Sequence, residues 1–126
     1  MVIRCAFFEG RIHSGREAEF DTFVQEQLVP LWTRFPNALE VRILREREIE
    51  DGSHRFPMIL QTTYPSREAI NIALQSPERF TSRDLTKALL QMFEGRVFHV
   101  IYDLNYQGPS LPGDSASLDP NETVVP

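Results

Sequence analysis

Residues 2–12 have the sequence VIRCAFFEGRI, and the rest of the chain is best interpreted outward from this stretch. Successive side chains of a β-strand point to opposite faces of the sheet. Alternate residues therefore form two sets, with Ile3, Cys5 and Phe7 on one face and Val2, Arg4, Ala6 and Phe8 on the other. Since neither set is plainly polar, the pattern predicts a central strand that is covered on both faces.

The same order of elements occurs twice along the chain. An apolar strand, an amphipathic helical stretch and another apolar strand occupy residues 2–12, 16–35 and 38–50, and then 56–64, 66–93 and 96–106. The order βαββαβ predicts an α+β fold in which four strands form one antiparallel sheet with the helices on a single face. The other face is also apolar, so we expect a second copy of the chain to cover it. The sequence therefore predicts a homodimer that encloses a pocket.

Length and composition exclude several classes of protein. The 126 residues suit one domain, assigned to residues 1–106, and a Pro-rich tail, residues 107–126, whose apolar residues suggest packing on the partner subunit. A net charge of −5 argues against nucleic acid as a partner. The single cysteine, Cys5, excludes an internal disulfide. No apolar run approaches the roughly 18 residues of a membrane span, so we expect no membrane partner and a cytoplasmic location.

The helical stretches carry signals for their ends and their buried faces. Ser14 and Glu17 have the spacing of a capping box, and Gly95 is expected to end the second helical stretch. Pro30 predicts a kink or two helical pieces, with space for a ligand beneath Trp32. The aromatic stripe that includes Phe20, Phe23 and Trp32 would form the apolar wall of a pocket, although such a stripe is more often plain core.

A few polar residues on the apolar strands are candidates for chemistry. His99 lies between Val97 and Ile101 and is the leading candidate for a general base, with a core histidine bonded to its neighbours as the alternative. Tyr64 and Tyr102 are candidates to orient a ligand oxygen. Arg4 and Arg42 either pair with carboxylates of the dimer or bind an anionic ligand, and Arg42 would favour an enolate. No motif for a metal, a phosphate or a nucleophile is present, so no metal and no cofactor is predicted.

Three features together resemble the dimeric α+β barrel proteins and, among them, the EthD-like group. They are the βαββαβ order, the Ser76-Pro77-Glu78-Arg79 helix start and the closing Gly95-Arg96-Val97-Phe98-His99-Val100 strand. The resemblance covers residues 1–106 and implies a ferredoxin-like protomer whose sheet packs against that of a second copy, with a small-molecule cavity between sheet and helices. Proteins of this fold include cofactor-independent oxygenases, lactone isomerases, polyketide cyclases and regulatory ligand-binding domains, so the fold does not fix a reaction.

The function predicted from the sequence is binding of a small apolar, aromatic or polyketide-like molecule. If the protein is an enzyme, we expect cofactor-free oxygenation, cyclisation or isomerisation by proton transfer, with His99 as the base. The alternatives are a non-catalytic ligand-binding or accessory protein of a degradation or biosynthesis operon, and a structural dimer whose interior is filled by Phe20, Phe23 and Trp32.

Overall fold

The computed structural model of the chain describes residues 1–52 and 54–109. The strands of this part are β1 Val2–Ile12, β2 Glu40–Arg45, β3 Met58–Tyr64 and β4 Phe93–Asp103. The α-helices are α1 Glu17–Phe23, α2 Val29–Trp32, α3 Arg67–Leu74 and α4 Pro77–Leu89. A π-helical turn, Val24–Leu28, joins α1 to α2, and a 3-10 turn, Leu90–Met92, leads into β4. The predicted α+β fold with βαββαβ order is confirmed.

The four strands form one antiparallel sheet in the order β2-β3-β1-β4. The sequence pattern had placed β1 in the interior of the sheet, and this position is confirmed, while β2 and β4 form the two edges. Strand β1 pairs along its whole length with β4, from Val2 opposite Asp103 to Ile12 opposite Phe93. This register fixes which side chains of neighbouring strands share a face.

One face of the sheet carries the helices. Ala6, Phe8 and Met58 pack there against residues of α1, α2 and α4 in the larger of two hydrophobic clusters. The smaller cluster joins Val2 and Tyr64 of the sheet to the buried side of α3. Burial of these apolar side chains is the main stabilising term for the protomer, at about 25 cal/mol per Å² of apolar surface removed from water.

The helix boundaries follow the sequence signals in part. Ser66 and Ser76 cap α3 and α4, because their side-chain oxygens accept hydrogen bonds from Ala69 N at 3.1 Å and Arg79 N at 3.3 Å. The expected capping box at Ser14 is wrong, since α1 begins at Glu17 without a side-chain cap.

The expectation that Gly95 ends a helix is also wrong. The last helical turn ends at Met92, and Gly95 lies in β4 directly opposite Gly10 of β1. Both glycines have φ values in the region that favours glycine, +139° for Gly10 and +145° for Gly95. The two residues allow a close approach of the β1 and β4 backbones, which is a tertiary role rather than a helix cap.

The other face of the sheet, here called the open face, carries the aromatic cluster of Phe7, Phe56 and Phe98. The rings of Phe7 and Phe98 are stacked with centroids 5.2 Å apart, and Phe56 meets each of them edge-on. The guanidinium of Arg96 lies over the Phe98 ring at 4.9 Å from its centroid. The helices of the described part build their clusters on the opposite face, so this aromatic surface is left without a helical cover.

The predicted tail, residues 107–126, lies outside the described residues from residue 110 onward. Among the residues that are described, none of the helices is both long enough and apolar enough to cross a membrane.

Candidate functional site

A cavity of about 280 Å³ lies between the helix-bearing face of the sheet and helices α2 and α4. The sheet contributes Arg4, Ala6, Phe8, Leu60, Thr62, Tyr64, Val97 and His99, and the helical side contributes Trp32, Phe35, Arg79, Ser82, Arg83, Thr86, Lys87 and Leu90. Its volume is close to the lower end of the range for small-molecule sites, about 300–1,000 Å³.

The floor of this pocket is set by the pairing of β1 with its two neighbours. Ala6 lies opposite Leu60 of β3 and opposite His99 of β4, and Arg4 lies opposite Thr62. Paired residues of an antiparallel sheet point to the same face. The small side chain of Ala6 therefore leaves open space between the flanking side chains, and His99 and Arg4 both face this space.

The helical wall is shaped by the interruption at Pro30. The predicted division into two helical pieces is confirmed, since the π-helical turn separates α1 from α2 and Pro30 lies in the first turn of α2. A proline lacks the amide donor that a continuous helix needs at this point. Trp32 follows and donates a buried hydrogen bond from Nε1 to Ser82 Oγ of α4 at 2.9 Å. This bond ties α2 to α4 and fixes the indole as one wall of the pocket.

Helix α4 supplies five polar residues to the lining of the pocket. Arg79, Ser82, Arg83 and Thr86 recur at spacings of three and four residues, so they lie on one face of the helix. Three cationic side chains of α4 line the pocket, those of Arg79, Arg83 and Lys87.

The electrostatics of His99 follow from its position on the pocket floor. His99 is exposed to solvent in the protomer, yet desolvation on the pocket floor is the largest cause that lowers its pKa, and the positive charges of Arg4 and Arg79 lower it further, to about 4. No described residue is hydrogen-bonded to the imidazole, so the alternative of a satisfied core histidine is not supported. His99 is therefore neutral at physiological pH and available as a proton acceptor.

Burial also shifts the pKa values of two other residues that line the pocket, Tyr64 and Arg4. Burial raises the pKa of Tyr64, while the charge of Arg4 acts in the opposite direction. Tyr64 thus keeps its proton at neutral pH and is available to donate a hydrogen bond into the pocket. Burial also lowers the pKa of Arg4, although an arginine stays charged at any physiological pH.

The structure brings together four of the residues proposed from the sequence. Arg4, Trp32, Tyr64 and His99 all line the pocket. Phe20 does not, because it is fully buried in the core below α1, where it contacts Phe93.

Phe23 also lies away from the pocket. It is half-buried and borders a shallow groove on the outer side of α1, with Thr22, Glu26 and Met92 among its neighbours. The aromatic stripe of residues 16–35 is therefore divided: Phe20 lies in the core, Phe23 borders the groove, and Trp32 and Phe35 line the pocket.

Arg42 and Tyr102 lie on the open face and do not meet His99. Arg42 donates a hydrogen bond to Gln61 Oε1 at 3.0 Å and pairs with Glu40 at 3.2 Å. Tyr102 lies opposite Ile3, three positions along the strand from His99, and thus on the other face. Neither side chain can act with His99 in the pocket of one protomer, which corrects the expectation that the four polar residues form one site.

The residues that sequence reasoning missed lie mainly on α4. Arg79, Arg83, Thr86 and Lys87 belong to a polar stripe beside the apolar stripe of the same helix. A polar stripe normally faces solvent, and the sequence alone gives no reason to place it against a cavity. The sequence shows the helical spacing of Arg79, Ser82, Arg83 and Thr86. Whether this stripe faces solvent or a cavity depends on the distance between α4 and the sheet, which the sequence does not give.

The low pKa of His99 has a consequence for stability. The folded protein binds this proton only near pH 4, whereas an unfolded chain binds it near pH 6.5. The unfolded state therefore binds more protons between these values, and stability falls as the pH is lowered through them. We expect the midpoint of thermal unfolding to fall less over this interval in His99→Asn than in the unchanged protein, as measured by circular dichroism. The carboxylates are the same in both proteins, so they contribute equally to the fall of the unfolding midpoint with pH. If the midpoint fell by the same amount in both proteins, the lowered pKa of His99 would be contradicted.

Within residues 1–52 and 54–109, no group of three or more His, Cys, Asp or Glu side chains is placed to hold a metal ion. The absence of a metal and of a cofactor, expected from the sequence, stays a prediction.

The four-stranded sheet, the helices on one face and the pocket between them define a ferredoxin-like α+β protein, the fold of the dimeric α+β barrel proteins. Among solved structures, the chain is similar to an ethyl tert-butyl ether D (EthD) family protein from Bacillus halodurans, with a TM-score of 0.64 and 17% identity over 82% of this chain and 97% of that one. It is also similar to an antibiotic biosynthesis monooxygenase, with a TM-score of 0.57 and 16% identity over 82% and 97% of the two chains.

A third similar structure is a dimeric ferredoxin-like protein of unknown function from Thermobifida fusca, with a TM-score of 0.58 and 10% identity over 82% of this chain and 90% of that one. Comparison with models of known protein families and with curated proteins finds no match. The predicted resemblance to the dimeric α+β barrel proteins, with an EthD protein among the similar structures, is confirmed at the level of the fold.

Proposed function

We propose that the protein is a homodimer whose protomers each bind a small, flat, largely apolar molecule in the pocket between sheet and helices, and that His99 removes a proton from this molecule. The observation that carries the proposal is a cavity of about 280 Å³ in which the apolar side chains of its floor and the Trp32 wall meet a neutral histidine. A cytoplasmic location, expected from the sequence, remains part of the proposal.

The pocket argues for a binding role over a purely structural one. A structural dimer was expected to fill this space with Phe20, Phe23 and Trp32, but Phe20 and Phe23 pack elsewhere. Trp32 and Phe35 instead border the cavity with flat aromatic surfaces. Aromatic and other planar ligands pack well against such surfaces, which supports an aromatic or polyketide-like ligand.

The polar groups of the pocket suit proton transfer. Neutral His99 accepts a proton from an acidic O–H or C–H of the ligand, and the ligand becomes an enolate or phenolate. Arg79, whose charge acts on His99, stabilises the charge that develops, and Tyr64 is a hydrogen-bond donor that lines the same pocket. The anion also raises the proton affinity of His99, since it offsets the two positive charges that otherwise lower its pKa.

The dimer is supported by the open face. Phe7, Phe56 and Phe98 form an aromatic surface on the sheet, and Leu44 and Tyr102 are exposed beside it at 44% and 47%. Contiguous apolar surfaces of this kind mark interfaces in soluble proteins. A similar solved structure is described as a dimeric ferredoxin-like protein, and sheet-to-sheet packing of two copies would cover the face.

A single experiment tests binding and proton transfer separately. The full-length protein is incubated in D2O with aryl 1,3-diketones, whose central C–H is acidic, and exchange of this hydrogen is followed by NMR. Trp32 is the only tryptophan and lines the pocket, so its fluorescence reports binding. We expect binding and accelerated exchange in the unchanged protein, and in His99→Ala unchanged binding with exchange reduced at least tenfold, as general bases contribute about 10²–10⁴-fold.

Other outcomes separate the alternatives. Exchange that is equally fast in His99→Ala would remove His99 as the base. Binding without accelerated exchange in the unchanged protein would favour a non-catalytic binding module, an alternative that is also supported because no residue of 1–52 and 54–109 forms a hydrogen bond that orients the imidazole. Absence of binding by any aromatic probe would contradict the proposed function as a whole.

A further inference from the structure

The pocket has a charge opposite to that of the protein. The chain carries eighteen acidic and thirteen basic residues, for a net charge of −5. The pocket is nevertheless lined by four permanently or normally cationic side chains, Arg4, Arg79, Arg83 and Lys87, and among the described residues no aspartate or glutamate lines it. A local excess of positive charge in a cleft with apolar walls raises the concentration of anions at the site.

Most of this charge is not compensated within the protomer. In the described part of the chain, Arg4 and Arg83 have neither a hydrogen-bond acceptor nor an ion-pair partner. Arg79 reaches only a carbonyl oxygen, that of Leu74, at 3.5 Å. Lys87 pairs with Asp84 at 3.7 Å, and both side chains of this pair are largely exposed.

Among these cations, Arg4 is the one for which the missing counter-ion is most unfavourable. It lies on the central strand at the pocket floor, opposite Thr62, and burial lowers its pKa, while Tyr64 acts in the opposite direction. The charges of Arg79 and Arg67 lower it further. Even partial desolvation of a guanidinium without a counter-ion is unfavourable, because arginine does not shed its charge. An anion that enters the pocket would offset this cost.

We propose that the ligand carries a carboxylate on its planar apolar body, and that Arg4 binds this carboxylate with support from Arg79, while Arg83 and Lys87 attract the anion at the helical side of the pocket. A guanidinium matches the planar, bidentate geometry of a carboxylate. The apolar body would lie against Trp32 and Phe35. This inference rests on the proposed function, because it names the chemical class of the ligand of the same pocket.

The test compares matched acids and amides. Benzoate with benzamide, and 1-naphthoate with 1-naphthamide, differ in charge but hardly in shape. Binding to the full-length protein is followed by Trp32 fluorescence and by calorimetry. We expect each acid to bind at least tenfold more tightly than its amide at low ionic strength, and added salt to narrow this difference.

Variants assign the preference to Arg4. In Arg4→Gln the preference for the acid is expected to fall at least tenfold, with little change for the amide. Arg47→Gln is the matched control, since Arg47 is exposed and lies outside the pocket, and it should bind like the unchanged protein. If Arg4→Gln does not fold, Arg79→Gln and the acid–amide comparison in the unchanged protein still decide the question.

Three results would overturn the inference. Equal binding of acid and amide would exclude an anionic ligand group and leave the proposed binding of an apolar molecule intact. Tighter binding of 1-naphthyl phosphate than of 1-naphthoate would replace the carboxylate by a phosphate. No binding by any of these probes would contradict both this inference and the proposed function.

Discussion

Gly10→Ala is expected to destabilise the protein by about 3 kcal/mol or more, which is a large fraction of the stability of a small domain. A Cβ at Gly10 would overlap the backbone oxygen of Glu94 and lie 2.8 Å from the backbone Cα of Gly95. Backbone atoms of a paired strand cannot move aside as a flexible side chain can. Strand β4 would have to separate from β1 at this point.

Gly15→Ala is the matched control for this prediction. Gly15 also has a positive φ, +83°, but a Cβ there would meet nothing within 4 Å. Its substitution should cost only the conformational strain of about 1–2 kcal/mol. Urea denaturation of the two variants measures the difference. Equal losses would show that the β1–β4 contact is not as close as the structure indicates.

Phe7→Glu is expected to weaken self-association about 100-fold, which corresponds to about 3 kcal/mol. Phe7 lies on central strand β1 and stacks on Phe98 in the middle of the open face. A carboxylate there would be buried without a partner if two sheets pack face to face. Sedimentation equilibrium across the micromolar range measures the dissociation constant, and circular dichroism verifies that the variant is folded.

Phe80→Glu serves as the control for the dimer. Phe80 lies on α4, on the helical side of the molecule, and is 50% exposed, so the same substitution there should leave association unchanged. A dimer that survives Phe7→Glu but not Phe80→Glu would place the interface on the helices. A monomer at micromolar concentration in the unchanged protein would contradict the proposed homodimer.

The fold could be predicted from the sequence because the sequence signals for its elements are local and occur twice. The βαβ order of residues 2–50 and its repeat in residues 56–106 predicted the order of elements, and the apolar character of both faces of residues 2–12 predicted the interior position of β1. Ser66 and Ser76 marked the starts of α3 and α4 through hydrogen bonds that span only three residues. Such signals depend on nearest neighbours along the chain, so they can be recognised without the tertiary structure.

The residues of the candidate site could be predicted from the sequence only in part. His99, Arg4 and Tyr64 stood out as polar residues on apolar strands, and they do share a face. Arg42 and Tyr102 stood out for the same reason, yet strand parity and register place them on the open face. A shift of one residue along a strand moves a side chain to the other face of the sheet. Whether two polar residues belong to the same site therefore depends on how their strands are paired.

The sequence by itself determined the βαββαβ order, the amphipathic pattern and the apolar second face, because these follow from the periodicity of side chains along single elements. Only the tertiary structure decided that Gly10 and Gly95 meet, that the polar stripe of α4 borders a cavity, and that four cations line this cavity with no carboxylate among the described residues of its lining. These features depend on distances between elements far apart in the chain, and such distances are set by packing of the whole protomer.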